Sequence, residues 1–262
     1  MPDDGPQDGV PQDIVVSEKG PVATITLSRP EVRNAIGKRM VEEIHAAMSA
    51  LERRDDVHAL VVKGAGGKAF ASGADIAELR DRRAADARAS VNGALFARVE
   101  RFPRPTVAAI QGFALGGGLE LALACDFRVA TTSARLGQPE VTLGIMAAAG
   151  GARRLPALVG LAHARRLLLS GAIVDAAEAL RIGLVDRVVD EAALDAAVAD
   201  LLAPILAASP EAVRLTKASL LARAHGASEE HLAFLDREHQ ALLFEHPEKL
   251  ARMDAFLAKR KK

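Results

Sequence analysis

The chain of 262 residues has no tryptophan, no tyrosine and a single cysteine, Cys125. One cysteine excludes a disulfide within the chain. It stands in an apolar run, which suits a packed thiol better than a nucleophile. With eight phenylalanines as its only Phe, Trp or Tyr residues, the chain absorbs almost nothing at 280 nm. It also lacks a dominant charge, because 34 Lys plus Arg balance 34 Asp plus Glu. That balance gives no sign of wholesale nucleic-acid binding. No uninterrupted apolar run is long enough to span a membrane. Residues 1–13 are rich in Pro, Asp and Gly and have no basic stretch leading into an apolar one. They read as a disordered extension rather than a secretory signal, and a soluble, cytoplasmic protein is expected.

Several chemistries are missing too. There is no Gly-x-x-x-x-Gly-Lys-Ser/Thr phosphate loop, no Gly-x-Ser-x-Gly elbow and no His-Glu-x-x-His. Gly64-Ala65-Gly66 with Ala69 matches a dinucleotide fingerprint on paper, but no glycine-to-helix turn follows it. His231 and His239 fall on an amphipathic helical run and suit surface or partner contact better than metal. The basic end Lys259-Arg260-Lys261-Lys262 reads as a solvated terminus; a patch for ligand phosphates is the sharper alternative.

Half of the residues are hydrophobic, enough for a sizeable core. Ile14–Glu18 and Val22–Leu27 read as a hairpin around Lys19-Gly20-Pro21. Lys38–Arg53 repeats apolar residues at helical spacing, Ala59–Lys63 and Thr106–Ile110 are short apolar strands, and Phe127–Ala130 is another. This alternation of strand and helix predicts a mostly parallel sheet with helices outside. After about Gly150 the character changes. Leu161–Ser170, Ala176–Ile182, Glu191–Ala208, Glu211–Ala224 and Glu229–Phe244 read as helices, with Asp175 and Ser228 as N-caps. Only Val185–Val189 reads as a strand there. The domain expectation is an α/β core over 14–200 and a helical region over 201–262.

The most informative stretch is Gly112 to Asp126. Three consecutive glycines, Gly116-Gly117-Gly118, open an apolar helical run that carries one carboxylate, Glu120. Glycine N–H groups at the positive end of a helix form an anion-accepting cradle, and a carboxylate one turn on is placed to move a proton beside it. A second carboxylate, Glu140, follows Gly137-Gln138-Pro139. On spacing alone, each carboxylate reads somewhat better as a partly buried Glu satisfied by an arginine or by backbone N–H groups, because structural ion pairs also bury carboxylates. The third element is Phe70-Ala71-Ser72-Gly73-Ala74-Asp75-Ile76. It is a strand-to-helix connection with Asp75 as N-cap, or a loop whose Ala74 N–H is a second donor aimed at the same oxyanion as Gly117.

Together these motifs resemble the crotonase (enoyl-CoA hydratase/isomerase) family. So do Leu27-Ser28-Arg29-Pro30 with Asn34-Ala35, the block Gly137 to Gly144 with Gly150-Gly151, and Ala255-Phe256-Leu257-Ala258-Lys259-Arg260. The resemblance covers about Ile14 to Lys259. It implies an α/β fold, a crotonase-like ββα spiral core with a helical C-terminal trimerisation region. It implies an acyl-CoA thioester substrate whose oxygen is held by the N–H groups of Ala74 and Gly117. CoA is expected along Ala74, Asp75, Ile76 and Ala77, with further contacts at Arg33, Ala35 and Gly116. Hydratases of the family carry two glutamates, matched here by Glu120 and Glu140, whereas isomerases typically need one. The implied reaction is hydration of a 2-trans-enoyl-CoA to the 3-hydroxyacyl-CoA, with Glu120 activating water and Glu140 delivering the proton to Cα. The alternatives are Δ3-Δ2 isomerisation, other enolate chemistry of the family, or an acyl-CoA- or RNA-binding relative without turnover. No metal or redox cofactor is implied, and CoA enters only as part of the substrate. A homotrimer or dimer of trimers is implied, with Leu232, Phe234, Leu235, Leu242, Leu243 and Phe244 as contact surface. Two departures stand out. Ala147 and Ala148 occupy positions where hydratases commonly have Pro and Gly, beside Glu140, and Ala148 takes φ > 0 less readily than Gly. Arg252 replaces a small residue ahead of the final Ala-Phe motif.

Overall fold

The computed structural model describes residues 12–260. The expected extension over 1–13 therefore lies, for its first eleven residues, outside the described part. Asp13 does not fit that expectation. It is 3% exposed, its carboxylate pairs with Arg39 and Arg29, and its carbonyl accepts from Ser28 N–H at 2.7 Å.

β1 (Ile14–Lys19) and β2 (Val22–Leu27) form the expected antiparallel hairpin. α1 (Lys38–Glu52) follows and buries Met40, Val41, Ile44, Met48 and Leu51, one apolar stripe at helical spacing. A strand–strand–helix unit then recurs. β3 (Ala59–Gly64) and β4 (Ala69–Ala71) lead to α2 (Ile76–Asp81), α3 (Ala84–Ala89) and α4 (Val91–Glu100). β5 (Thr106–Ile110) and β6 (Phe113–Leu115) lead to α5 (Gly117–Ala124). β7 (Phe127–Thr131) and β8 (Arg135–Gly137) lead through a 3-10 turn, Pro139–Leu143, to α6 (Gly151–Ser170). The first strand of each unit joins a six-stranded sheet of order β1-β2-β3-β5-β7, with β10 (Arg187–Val189) at its edge. The second joins a smaller sheet of order β4-β6-β8, closed by β9 (Ile173–Asp175). The repeat is thus ββα, as the family resemblance implied, and not the βαβ that periodicity alone predicts. The reason is length. β4, β6, β8 and β9 have three residues each, too few for a period-2 pattern to show.

The main core lies between the two sheets and helices α1, α4, α5 and α6. The other face of the large sheet, with Val61, Val107 and Val129, is covered by Leu194, Val198, Leu201 and Leu202 of α8 (Leu194–Ala207). Covering both faces explains why β3 and β5 read as unbroken apolar runs. α8 crosses the expected domain boundary at residue 200, so the arm that extends from the core begins at α9 (Pro210–Ala224). Lys217 of α9 ties the arm to the core through the Asp126 carboxylate at 2.6 Å and the Arg104 carbonyl at 2.9 Å. Asp175 and Ser228 cap α7 (Ala176–Arg181) and α10 (Glu229–Glu245), accepting from Glu178 N–H and His231 N–H. α11 (Pro247–Lys259) was not anticipated as a helix. In it Arg252 pairs with Glu248 and donates to the Ala207 and Ala208 carbonyls at 2.9 and 3.0 Å, bracing α11 against the end of α8. Among the described residues no single helix is long and apolar enough to cross a membrane.

Candidate active site

Gly116 makes the turn from β6 into α5 at φ 50°, ψ −126°, a conformation that glycine reaches without steric penalty. The turn leaves the Gly117 N–H at the first position of α5, where no intrahelical acceptor exists. Facing it is the Ala74 N–H. A Cβ on Gly117 would stand 3.4 Å from Ala74 N, so glycine keeps the space between the two donors open. Neither N–H donates to an acceptor among the described residues. Ala74 is held in place by a parallel bridge to Ile36, with Ile36 N–H donating to the Gly73 carbonyl at 2.8 Å. Asp75 caps α2 by accepting from Ala77 N–H at 3.1 Å and also pairs with Arg29 at 3.4 Å. The N-cap reading of that loop is therefore met, and the Ala74 N–H is left without an acceptor among the described residues.

One turn into α5, Glu120 is 4% exposed. Its Oε1 accepts from Gly151 N–H at 2.8 Å. Burial raises its pKa above the usual carboxylate range, against the backbone of Gly151 and Ala149 and the charge of Arg154. Glu140 sits on the 3-10 turn Pro139–Leu143. Burial first, and the nearby Glu120 charge as well, push it up to about 7. Gln138 is buried beneath it. Turned with its nitrogen toward the acceptors, the Gln138 amide donates to Glu140 Oε1 at 2.9 Å, Oε2 at 3.1 Å and the Gly116 carbonyl at 3.2 Å. One residue thus fixes both the second carboxylate and the glycine turn.

Ala74, Gly116, Gly117, Glu120 and Glu140 line a single cavity of about 680 Å³. Its other walls are mostly apolar, among them Ile76, Leu79, Leu143, Ile145 and Met146. The remaining expected contacts lie outside the lining: Arg33 and Ala35 run beside it, with the Arg33 carbonyl accepting from Ser72 N–H at 3.0 Å, and Asp75 and Ala77 are taken up by the cap. Asn34 has a structural task. Its Oδ1 accepts from Arg29 N–H and its Nδ2 donates to the Ala65 and Ala69 carbonyls, pinning the ends of β2, β3 and β4 together. Non-glycine residues with positive φ are Arg33, Asn34 and Ser90 among the described residues. Ser90 lines the cavity, and the Arg33 carbonyl accepts from Ser72, which lines it too; strain of this kind gathers at functional sites. Ala148 is not one of them, so the replacement of glycine there imposes no backbone strain. The left-handed turn falls instead on Gly150, at φ 118°.

Arg154 supports the loop behind Glu120. Its guanidinium donates to the Ala149 carbonyl at 3.1 Å and pairs with Glu100 at 2.9 Å. Burial alone would raise Glu100; Arg154 and Arg153 override it and bring the carboxyl down to about 2. Gln138, Gly151 and Arg154 were not marked as site residues in the sequence. The first two stand in quoted motifs, but amides and glycines give no acid–base signal. Cys125 behaves as expected of a packed thiol, with burial pushing its pKa up to about 12. Gly64-Ala65-Gly66 leads into strand β4, which removes the dinucleotide reading. His239 meets Ser219 of α9 at 2.9 Å, and no cluster able to hold a metal occurs among the described residues.

Two carboxylates and two backbone donors without an acceptor around one largely apolar cavity are what is needed to hold a developing oxyanion and move a proton beside it. The chain belongs to the enoyl-CoA hydratase/isomerase family, whose model matches residues 17–262. It is 36% identical to the short-chain-enoyl-CoA hydratase of Clostridium acetobutylicum over 250 residues, 95% of each chain. It is 38% identical to the crotonyl-CoA hydratase of Syntrophomonas wolfei, covering 95% of this chain and 96% of that one. The crystal structure of an enoyl-CoA hydratase from Bacillus anthracis superposes with a TM-score of 0.90 at 33% identity, over 95% of this chain and 97% of that one.

Proposed function

We propose that this protein hydrates 2-trans-enoyl-CoA thioesters to 3-hydroxyacyl-CoA in acyl-CoA metabolism. The observation that carries the reading is the pairing of Glu120 and Glu140 in one cavity with the free N–H groups of Ala74 and Gly117. Those two donors hold the thioester oxygen and stabilise the negative charge that develops on it, and the α5 dipole adds to Gly117. Glu120 takes a proton from water as the water oxygen bonds to Cβ. Glu140, raised to about 7, is a competent acid near neutrality and delivers its proton to Cα. The two carboxylates titrate as a coupled pair. CoA lies along Ala74, Asp75, Ile76 and Ala77, with Arg33, Ala35 and Gly116 beside it. The chemistry needs no metal or redox cofactor, because the thioester itself is the electron sink. The same reading places the enzyme in the cytoplasm as a homotrimer or dimer of trimers.

The test is incubation of the purified chain with crotonyl-CoA, followed by loss of enoyl-thioester absorbance and by product mass. The expected product is 3-hydroxybutyryl-CoA, one water heavier. A 3-enoyl-CoA run in parallel reads the isomerase alternative: conversion of that thioester without hydration of crotonyl-CoA replaces this reading with it.

A further inference from the structure

The arm touches the active-site support by a route that the reaction just described does not use. α9 stands off the core across a second, mostly apolar cavity of about 760 Å³, lined by Leu123, Leu158, Leu220 and Leu221 among others, and by Glu100. Among the described residues, two side chains of α9 and its C-terminal cap hydrogen-bond to the core: Lys217 and His225. α9 ends in a left-handed turn at Gly226, φ 80°, and the His225 N–H closes its last turn on the Leu221 carbonyl at 3.0 Å. The His225 Nε2 then meets Glu100 Oε2 at 3.3 Å. Arg154 and Arg153 keep Glu100 ionised. An ionised carboxylate only accepts, so the His225 Nε2 is the donor.

Glu100 Oε2 is a point of convergence. Arg153 donates to it at 2.7 Å and Arg154 at 2.9 Å, both from α6, and His225 reaches it from the arm. The Arg154 and Glu100 side chains are only 5% and 13% exposed, so their pairing is little screened by solvent and responds to a third donor on the same oxygen. Arg154 also donates to the Ala149 carbonyl at 3.1 Å. Two residues on, the Gly151 N–H holds Glu120 at 2.8 Å. Contacts thus run without a gap from His225 through Glu100 and Arg154 to the loop behind Glu120. We infer that His225 is a positioning residue for Glu120: it seats the arm on Glu100 and, through Arg154, fixes the loop whose Gly151 N–H holds that carboxylate. The role given to Glu120 rests on the hydratase reading.

The test is crotonyl-CoA kinetics of wild type, His225→Ala and His225→Gln, since glutamine returns an N–H donor near the place of Nε2. His225→Ala should lower kcat about tenfold while KM changes by less than about twofold, and His225→Gln should recover most of the loss. In an Arg154→Ala background the His225→Ala change should cost no further kcat, because the route already lacks its middle member. Glu100→Gln serves as that background should Arg154→Ala fail to fold, and His225→Leu replaces His225→Ala on the same ground. An unchanged kcat in His225→Ala overturns the inference. So does a loss that glutamine does not recover, that adds in full to Arg154→Ala, or that accompanies a fall in mass by light scattering, the mark of a residue that serves assembly alone. A second readout needs no turnover. Hydrogen exchange of the peptide covering Ala149 to Arg154 should quicken in His225→Ala and not in His225→Gln. Equal exchange in all three proteins overturns the inference even where kcat moves. Wild type that hydrates no thioester sinks the hydratase reading, and exchange then decides by itself whether His225 holds the loop.

Discussion

At the scale of single residues, the site depends on which protons and which backbone donors are present. Proline at Gly117 deletes the N–H, and the first turn of a helix tolerates it. Gly117→Pro should keep its circular dichroism spectrum and lose about 10²–10³ in kcat for crotonyl-CoA. An unchanged kcat in a folded variant means Gly117 serves only the turn. Glu140 makes a pH prediction. Its carboxyl is raised from 4.5 to about 7 by burial and by Glu120, so the acid form is lost as pH rises through 7. The wild-type kcat/KM should fall above that point. The folded state also binds more protons than the unfolded one between those two values, so stability falls with rising pH across that window. Glu140→Gln removes the effect. It should melt higher than wild type at pH 8, with the gap closing by pH 4, as scanning calorimetry can show. Glu120, Glu140 and the glycine run were legible in the sequence because a charge in apolar surroundings and a triple glycine are both unusual. Gln138 and Arg154 were not, because their roles arise only when α4, the Pro139–Leu143 turn and α6 meet around the cavity.

At the scale of elements, α6 is the one that sets Glu120. Its Gly151 N–H holds the carboxylate, and Arg154 locks the preceding loop to Glu100 of α4. Arg154→Ala leaves Glu100 with Arg153 and His225, both more exposed than Arg154, and the Ala149 carbonyl without its donor. It should cost about 3 kcal/mol in urea unfolding and lower kcat more than it raises KM. Glu100 is depressed to about 2, so this contribution is present above pH 4.5 and disappears as pH falls toward 2. Stability equal to wild type at pH 7 would show that the loop needs no brace. Elements with a full period, such as α1, β3 and β5, could be read from sequence. The three-residue strands of the small sheet could not, since their pairing partners and not their own pattern define them. α11 carries the apolar spacing of a helix, but its apolar residues, including Leu250, Met253 and Phe256, are exposed in the single chain.

At the scale of the whole molecule, that exposure bears on assembly. Phe234, Leu242 and Phe244 are also exposed, as expected of a contact surface, but Leu232 is buried within its own chain. Light scattering at micromolar protein should give the mass of a trimer or hexamer; a monomer mass contradicts the assembly reading. The central claim, however, is that two carboxylates in one cavity share a single hydration. The most direct measurement is crotonyl-CoA hydration by wild type, Glu120→Gln and Glu140→Gln under identical conditions. Each variant should fold as wild type and lose roughly 10²–10⁴ in rate, since each lacks one proton-transfer group. A Glu120→Gln enzyme that hydrates crotonyl-CoA at the wild-type rate contradicts the account.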